Sequence, residues 1–418
     1  MAFDEYLKGS GATASVKRIL LATRTKLERE GIDEWSTLTS EQLYKWTKRA
    51  AFVKMECNLY RAGPNIKRKT PRLIQGAPPE FVCLVGPWFA ALQKKIKRDW
   101  NINNFITYTS SISNLKLANK LVRFNGRLAE DDVSMWDASV GLGLCQLEAR
   151  MTRRWFKAPP AVAALVDANI FTHGKTMNGI KYKVRGTRKS GDPYTSLYNS
   201  VLNALLHVWL LAVHNRWSYH RCSQRITMFV QGDDNAMSVR NGTYPDVARG
   251  MRDLGFDAKF ILRSSYVQLE YCSMRITRVK EGYTFGPKIG RIFAKTGYFI
   301  NPPLNVSRES IVRGTMLGLV QSCHHLAPLM SLIQANLRLC GDAKPYRIRQ
   351  EEWKTIGVMC TATTETMADL HEQYFWSRAM QNRLDHTLQR VTSLDDSIDT
   401  PLVRLLCDVD TSAPKLLL

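Results

Sequence analysis

Long apolar stretches are missing from this 418-residue sequence. The longest nearly apolar run, Asn203 to Val213, is short and holds His207, so no segment is expected to span a bilayer. The start, Met1 to Ser10, carries Asp4, Glu5 and Lys8 where a signal peptide would need an apolar centre. Paired cysteines are missing too. The nine cysteines are scattered and no CxxC occurs, which argues against a disulfide framework or a zinc ribbon and for reduced thiols. Cys323-His324-His325 is read as a polar corner between helices, because adjacent side chains seldom converge on one ion. No repeat and no low-complexity tract is present. Acidic residues are few: 37 Asp and Glu stand against 59 Lys and Arg, a net charge of +22. That surplus favours a polyanionic partner, nucleic acid or an anionic surface.

What remains is a globular composition, 44% hydrophobic and 23% charged, long enough for two or three domains. Positive charge comes in blocks: Lys54 to Arg72, Lys94 to Arg98, Arg150 to Lys157 and Lys181 to Lys189. The end of the chain is instead acidic, with Asp395, Asp396, Asp399, Asp408 and Asp410. Thr39 to Gln42 has the form of a capping box, with Leu43, Trp46 and Ala50 following on one helical face. Residues from roughly 100 to 185 read as short strands and loops, with Asn178-Gly179 as a hairpin turn. Residues from roughly 305 to 390 read as helical. There Gly341 caps Leu329 to Cys340, and one long helix runs from Glu365 to Arg390, capped by Thr364. His173-Gly174-Lys175-Thr176 imitates the end of a P-loop, but position 169 is Asn where that motif requires glycine.

Four segments carry chemistry. Gly232-Asp233-Asp234 lies between apolar stretches, Thr227 to Val230 and Ala236 to Val239, and reads as a hairpin whose turn presents two carboxylates. Asp132 to Asp137 lies about a hundred residues earlier. In a straight strand these two carboxylates face opposite sides, so the chain must turn between them if both are to reach one cleft. Carboxylates from separate segments are what two-metal phosphoryl transfer requires, with the ions about 3.5–4 Å apart. Asp132 and Asp233 are the candidate ligands, with Asp234 third. Next, Ser190-Gly191 forms a flexible loop. Asp192 then serves as N-cap and Pro193 as the first residue of a helix with Leu197, Val201, Leu205 and Trp209 as its buried stripe. Thr195 and Asn199 share a polar face suited to a sugar hydroxyl. Last, Phe52 to Glu56 and Lys67 to Gln75 form a basic segment in which Arg72 can fork onto phosphate oxygens.

In this order the four segments resemble the active-site motifs of the RNA-dependent RNA polymerases of positive-strand RNA viruses, nearest to the tombusvirus-like pattern. FVKxE and PRxIQ are matched at Phe52 to Glu56 and Pro71 to Gln75, and D-x-S-x-aromatic-D at Asp132, Ser134, Trp136 and Asp137. SGDxxTxxxN is matched at Ser190, Gly191, Asp192, Thr195 and Asn199, and GDD at Gly232, Asp233 and Asp234. The resemblance covers roughly residues 50 to 280. It departs at Gln231, where the family usually has another residue, and no motif matches beyond roughly residue 300.

The resemblance implies an α+β right-hand fold. Residues 1–127 would be fingers, with the basic segment 51–75; 128–155 palm; 156–185 a fingers insertion; 186–285 palm, an antiparallel sheet backed by helices; and 286–418 a helical thumb. It implies that Asp132, Asp233 and Asp234 hold two Mg²⁺ ions, for which Mn²⁺ can substitute. Lys54, Arg68 and Arg72 would meet the triphosphate. Asp137, Asn199 and Thr195 would read the ribose 2′-hydroxyl, and Ser190 and Gly191 would position template and nascent pair. Gly255 to Lys259 resembles the next palm motif, whose Lys259 would protonate pyrophosphate, and Tyr266 to Arg275 resembles the primer-grip hairpin. Lys67, Lys69, Arg188, Lys288, Arg291 and Lys295 are expected on RNA phosphates. Implied partners are RNA template and product, NTPs, and viral or host replication proteins. Family members often carry a membrane-targeting region; none is visible here, so membrane association is expected to be indirect, at replication complexes in the host cytoplasm.

Two other readings compete. A reverse transcriptase shares the aspartates but has an aromatic gate against 2′-hydroxyls, where this sequence has Asp137 and Asn199. A non-enzymatic basic RNA-binding protein accounts for the charge but not for the four aspartates.

Overall fold

The computed structural model describes residues 1–56, 70–346, 358–396 and 398–411. Among them twelve strands occur: β1 (Arg49–Val53), β2 (Leu73–Gly76), β3 (Ile106–Tyr108), β4 (Arg127–Ser134), β5 (Phe171–Thr176), β6 (Lys181–Arg185), β7 (Ile226–Gln231), β8 (Asp234–Val239), β9 (Asp257–Arg263), β10 (Glu270–Tyr271), β11 (Met274–Val279) and β12 (Gly282–Pro287). They form three sheets, ordered β2-β1-β5-β6, β3-β7-β8-β4-β9 and β10-β11-β12. All neighbours are antiparallel except β1 with β5 and β3 with β7. Helices cover both faces of the central five-stranded sheet, so the architecture is mixed α and β with largely antiparallel sheets.

The five-stranded sheet is buried on both sides, which is why β7 is buried at every position but its last instead of alternating. On one side Ala129, Met228, Val230 and Met237 pack against Ala204 and Leu211 of the helix Thr195–Asn215. On the other, Phe229 and Ala236 meet Leu117 and Leu121 of the helix Asn114–Arg123, with Tyr271, Ile276 and Phe285 of the small sheet. A separate core holds the C-terminal helices together through Phe293, Met316, Leu329, Leu370, Trp376 and Leu406. Each such side chain, fully buried, contributes about 1.5–3 kcal/mol.

Several local expectations hold. Thr39 and Gln42 form the capping box. Asn178 and Gly179 lie in the turn joining β5 to β6, with Gly179 at φ +87°. Gly341 ends the helix Ala327–Cys340. Others are corrected. Ala50 lies in β1, because the first of these helices stops at Trp46. Residues 100–185 include the helices Asn114–Arg123, Leu142–Arg150 and Pro160–Ala168. The expected long helix is two, Thr364–Tyr374 and Arg378–Gln389, broken where Phe375 takes a left-handed conformation, and Thr363 rather than Thr364 is the cap. The helix expected to start at Pro193 starts at Thr195, since Asp192 spends its carboxylate on Arg49 and Asn169 instead of capping.

That helix also corrects two further points. By length and composition Thr195–Asn215 is apolar enough to cross a membrane, which the run from Asn203 alone did not suggest; most of it is buried within the protein. Leu205 and Trp209, placed in the buried stripe, are 40% and 53% exposed. The helix is rolled about its axis because its polar positions Asn199, Ser200, Asn203 and His207 face inward and are fully engaged.

His324 and His325 form the corner between the helices Arg308–Cys323 and Ala327–Cys340. His325 is buried with neither ring nitrogen bonded, and burial pushes its pKa down to about 4. A histidine held neutral in the fold stabilises fully above its ordinary value near 6.5 and loses that stability as pH falls towards 4. At about 1.4 kcal/mol per unit the loss is roughly 3 kcal/mol. His325→Leu is therefore expected to flatten the fall in urea midpoint between pH 7 and pH 4.5; an unchanged slope would show that another group governs it.

Candidate active site

The hairpin β7–β8 pairs Gln231 with Asp234, leaving Gly232 and Asp233 as its turn. Gly232 sits at φ +67°, where a side chain is disfavoured and glycine is not. The turn is clamped from below by the helix Thr195–Asn215. Ser200 Oγ accepts from the Gly232 N–H at 2.8 Å, and Asn203 Nδ2 donates to the Asp233 carbonyl at 2.8 Å. Asn203 Oδ1 accepts from Asn235 at 2.8 Å. One turn further on, His207 donates from Nδ1 to the Asn203 carbonyl at 2.8 Å and meets Asp131 through Nε2 at 2.9 Å. The main chain around the acidic turn is thus fixed, while Asp233 and Asp234 are exposed residues.

Asp132 arrives from the neighbouring strand. The β4–β8 register pairs Asp131 with Asn235, so the next step sets Asp132 opposite Asp234. Asp131 is buried towards His207 and Asp132 is exposed on the other face. The two neighbours divide the work: one braces the helix and the other faces the cleft. On the far side of β4, Lys259 of β9 pairs with Asp132 and is also exposed. Met135 then adopts a left-handed conformation and starts the short helix Trp136–Ser139. This is the turn that brings Asp137 round to the face of Asp132.

The electrostatics tie these groups together. Burial of its carboxyl, then the Asp233 and Asp132 carboxylates, push Asp234 up to about 6, against a hydrogen bond from Cys272 and the charge of Arg291. Cys272 and Ser273 form the β10–β11 turn, both at positive φ, and Arg291 Nη1 donates to Ser273 Oγ at 2.8 Å. Burial raises Asp137 as well, opposed by Asn199 and Arg188 and aided by Asp233. Arg72, in turn, feels Asp233 and Asp137 after its main partner, Glu56. Asp132, Asp137, Asp233, Asp234 and Arg72 therefore border one space.

A second network sits behind Asp137. Asn199 Nδ2 donates to Asp137 Oδ1 at 2.9 Å, and Arg188 Nε donates to Asn199 Oδ1 at 2.9 Å. Both terminal nitrogens of Arg188 bond the buried Glu148, Nη1 at 2.7 Å. Burial works against the Arg188 charge, and the Glu148 carboxylate outweighs it and holds the pKa up. The loop ahead of the helix is pinned rather than loose. Thr195 Oγ1 donates to the Lys189 carbonyl at 2.6 Å and Ser190 Oγ to the Leu73 carbonyl at 3.3 Å. Arg49 Nη2 reaches Asp192 at 2.8 Å. A Cβ on Gly191 would lie 2.3 Å from the Gln75 carbonyl oxygen. Gly191→Ala is thus expected to force the loop off β2 at about 1–3 kcal/mol, read as a lower urea midpoint; a midpoint equal to wild type would mean the loop yields freely.

Other expected residues divide. Arg72 Nε bonds Glu56 at 2.6 Å and Lys54 lies 3.5 Å from the same carboxylate, which these contacts hold at about 2. Lys295 is exposed at a helix end. Two assignments to RNA phosphates are corrected: Arg188 is buried on Glu148 and Asn199, and Lys288 is largely buried in an ion pair with Glu270, so neither offers a free charge. Lys67, Arg68 and Lys69 lie outside the described residues. The sequence reading missed Ser200, Asn203, His207, Asp131 and Glu148. Its available signal was the recurrence of polar residues every four positions, Asn199, Asn203 and His207, in an otherwise apolar helix.

Among the described residues no three His, Cys, Asp or Glu side chains already stand close enough to cage an ion. The donor set nevertheless fits magnesium. That ion takes one or two carboxylates and completes its shell with water and substrate phosphates. Here the Asp233 and Asp132 carboxylates raise the cost of charging Asp234, and none of the three is ion-paired to a lysine or arginine among the described residues. In comparisons with known proteins, residues 25–302 match the family described as RNA dependent RNA polymerase, a span that contains every candidate from Lys54 to Lys295. No curated protein matches the chain.

Proposed function

Because the chain belongs to the RNA-dependent RNA polymerases of positive-strand RNA viruses, we propose that it copies a viral RNA genome by two-metal nucleotidyl transfer at the edge of β4 and β8. Membership makes it a nucleotidyltransferase acting on NTPs along an RNA template, in a family that uses divalent metal ions. The observation that carries the finer reading is the approach of Asp132, on one strand, to Asp233 and Asp234, on the turn of the next. A tombusvirus-like affiliation rests on the motif pattern.

In this reading the sheet β2-β1-β5-β6 is the fingers. It joins strands from 49–76 and 171–185, which supports assigning 156–185 to the same unit. The five-stranded sheet is the palm, and it takes in β3, so the palm draws on the chain from roughly residue 100 as well. The helices after residue 288 are the thumb. Asp132 and Asp233 would hold two Mg²⁺ ions, with Asp234 assisting. When bound, the ions supply Lewis acidity at the attacking 3′-hydroxyl and at the departing pyrophosphate. The RNA 3′-oxygen bonds to the α-phosphorus, the bond from that phosphorus to pyrophosphate breaks, and the hydroxyl proton passes to solvent water.

The chain's own groups do the positioning. Arg72 and Lys54, already gathered on Glu56, neutralise the triphosphate. Asp137 Oδ1 is committed to Asn199, which leaves Oδ2 to accept from a ribose 2′-hydroxyl. Thr195 contributes through the loop it braces. Lys259, paired with Asp132 across β4 and β9, would give a proton to pyrophosphate. Arg291 and Lys295 follow product phosphates. We propose the host cytoplasm as the place of synthesis, at membrane-associated complexes with other replication proteins.

The test is primer extension with purified protein, a homopolymer RNA template, labelled NTPs and Mg²⁺. Incorporation of NTPs in preference to dNTPs is expected; preference for dNTPs would favour a reverse transcriptase, and RNA binding without incorporation a non-enzymatic protein. Asn199→Ala is expected to lower the NTP over dNTP preference by about tenfold or more, since a buried hydrogen-bond site that reads a hydroxyl discriminates strongly. An unchanged preference would remove Asn199 from sugar recognition.

A further inference from the structure

The four-stranded sheet has two unlike faces, and the site uses one of them. Towards the Ser190–Asp192 loop it turns Arg49, which holds Asp192, and Tyr182, which donates to Gln75 at 2.9 Å. The opposite face is set by strand alternation and register, which pair Phe171 with Arg185, His173 with Lys183 and Lys175 with Lys181. All but the half-buried His173 are exposed.

Aromatic and basic groups alternate across this face. The Arg185 guanidinium lies 5.2 Å from the Phe171 ring centre. His173 meets Tyr44 edge-on at 5.2 Å, and Lys48 lies 4.4 Å over the Tyr44 ring. Among the described residues none of Lys48, Lys175, Lys181, Lys183 or Arg185 has an acidic partner. Like charges directly opposite on a sheet destabilise it. Lysines on an edge strand discourage edge pairing, which accounts for β6. It does not account for Lys175 on the interior strand β5, for Lys48 outside the sheet, or for the interleaved rings. A cleft of about 620 Å³, lined by Lys48, Phe52, Pro78, Lys175 and Met177, continues from the same face.

We propose that this outward face is a docking platform for single-stranded RNA, separate from the catalytic cleft. A phosphate backbone relieves the Lys175–Lys181 repulsion, and rings already carrying cations on one side offer stacking surfaces to bases. The proposal needs the chain to handle RNA and needs nothing of the chemistry at Asp132 and Asp233.

The experiment measures binding of a fluorescent oligouridylate to the full chain over a salt series. The triple variant Lys175→Gln, Lys181→Gln, Lys183→Gln changes exposed side chains only, and thermal melting checks its fold. Its plot of log affinity against log salt is expected to lose about 2 units of slope, at about 0.7 per phosphate contact. Phe171→Ala is expected to weaken binding about tenfold with the slope unchanged, because stacking is not ionic. Extension on a template with a short overhang should match wild type, and extension on a long single-stranded template should fall. Equal slopes for wild type and triple variant overturn the proposal. So does an equal loss on both templates, or a variant that keeps RNA binding and loses only binding to phosphatidylserine vesicles. Should wild type bind RNA with the expected slope and never incorporate nucleotide, the catalytic reading fails and the platform stands.

Discussion

Asp233→Ala is expected to yield a folded, RNA-binding and inert protein. Nucleotide incorporation should fall by about 10³-fold or more, the scale on which removing one pre-placed group at developing charge acts. Folding should survive because the turn is held through its main chain, by Ser200 on the Gly232 N–H and by Asn203 on the Asp233 carbonyl, with Asp233 itself an exposed residue. Asp132→Ala is expected to behave alike. The loss should even ease strain in the metal-free protein. Asp233 and Asp132 are among the causes that lift Asp234 to about 6. A carboxyl raised above its ordinary value of about 3.9 costs stability above the raised value and costs nothing below the ordinary one. At pH 7 to 8 without metal, the variant should therefore melt no lower than wild type. A melting temperature well below wild type, or activity reduced only a few-fold, would place Asp233 in structure rather than catalysis.

Glu148→Ala should be the most destabilising single change in the site. It strands the Arg188 guanidinium, whose side chain is 3% exposed, without its paired carboxylate. Removing one partner of a buried pair costs about 3–5 kcal/mol, whereas replacing both by apolar residues is often neutral. Chemical denaturation of Glu148→Ala should show that loss, and Glu148→Leu with Arg188→Met should recover most of it. The double variant would still lack the bond from Arg188 to Asn199, so its preference for NTPs over dNTPs should remain impaired. Recovery of that preference along with stability would mean Arg188 serves packing alone. A single variant as stable as wild type would mean the pair is not isolated from water.

How much of this was legible beforehand depends on what each feature is made of. The acidic hairpin, the capping box and the Asn178-Gly179 turn are local, and local chemistry is written in adjacent residues. Asp132 is legible because its surroundings match a known motif; that β4 lies beside β8 follows from pairing over a hundred residues, which no periodicity reveals. Arg188 and Lys288 look like RNA contacts in the sequence for one shared reason. Charge in a sequence looks solvated, and only tertiary contacts show that Glu148 and Glu270 take these two out of circulation. The apolar residues of the helix Thr195–Asn215 predict one buried stripe, yet its orientation is set by the polar ones, whose hydrogen bonds cannot be left unmade in the interior.

One helix carries both Asn199, which orients Asp137, and, within a single further turn, the Ser200 and Asn203 contacts to the acidic hairpin. A rigid rod touching two devices gears them together. A slight roll of it shifts the reader of the sugar and the seat of the reaction in the same stroke, so gains in copying accuracy made by altering this helix are expected to come with slower copying.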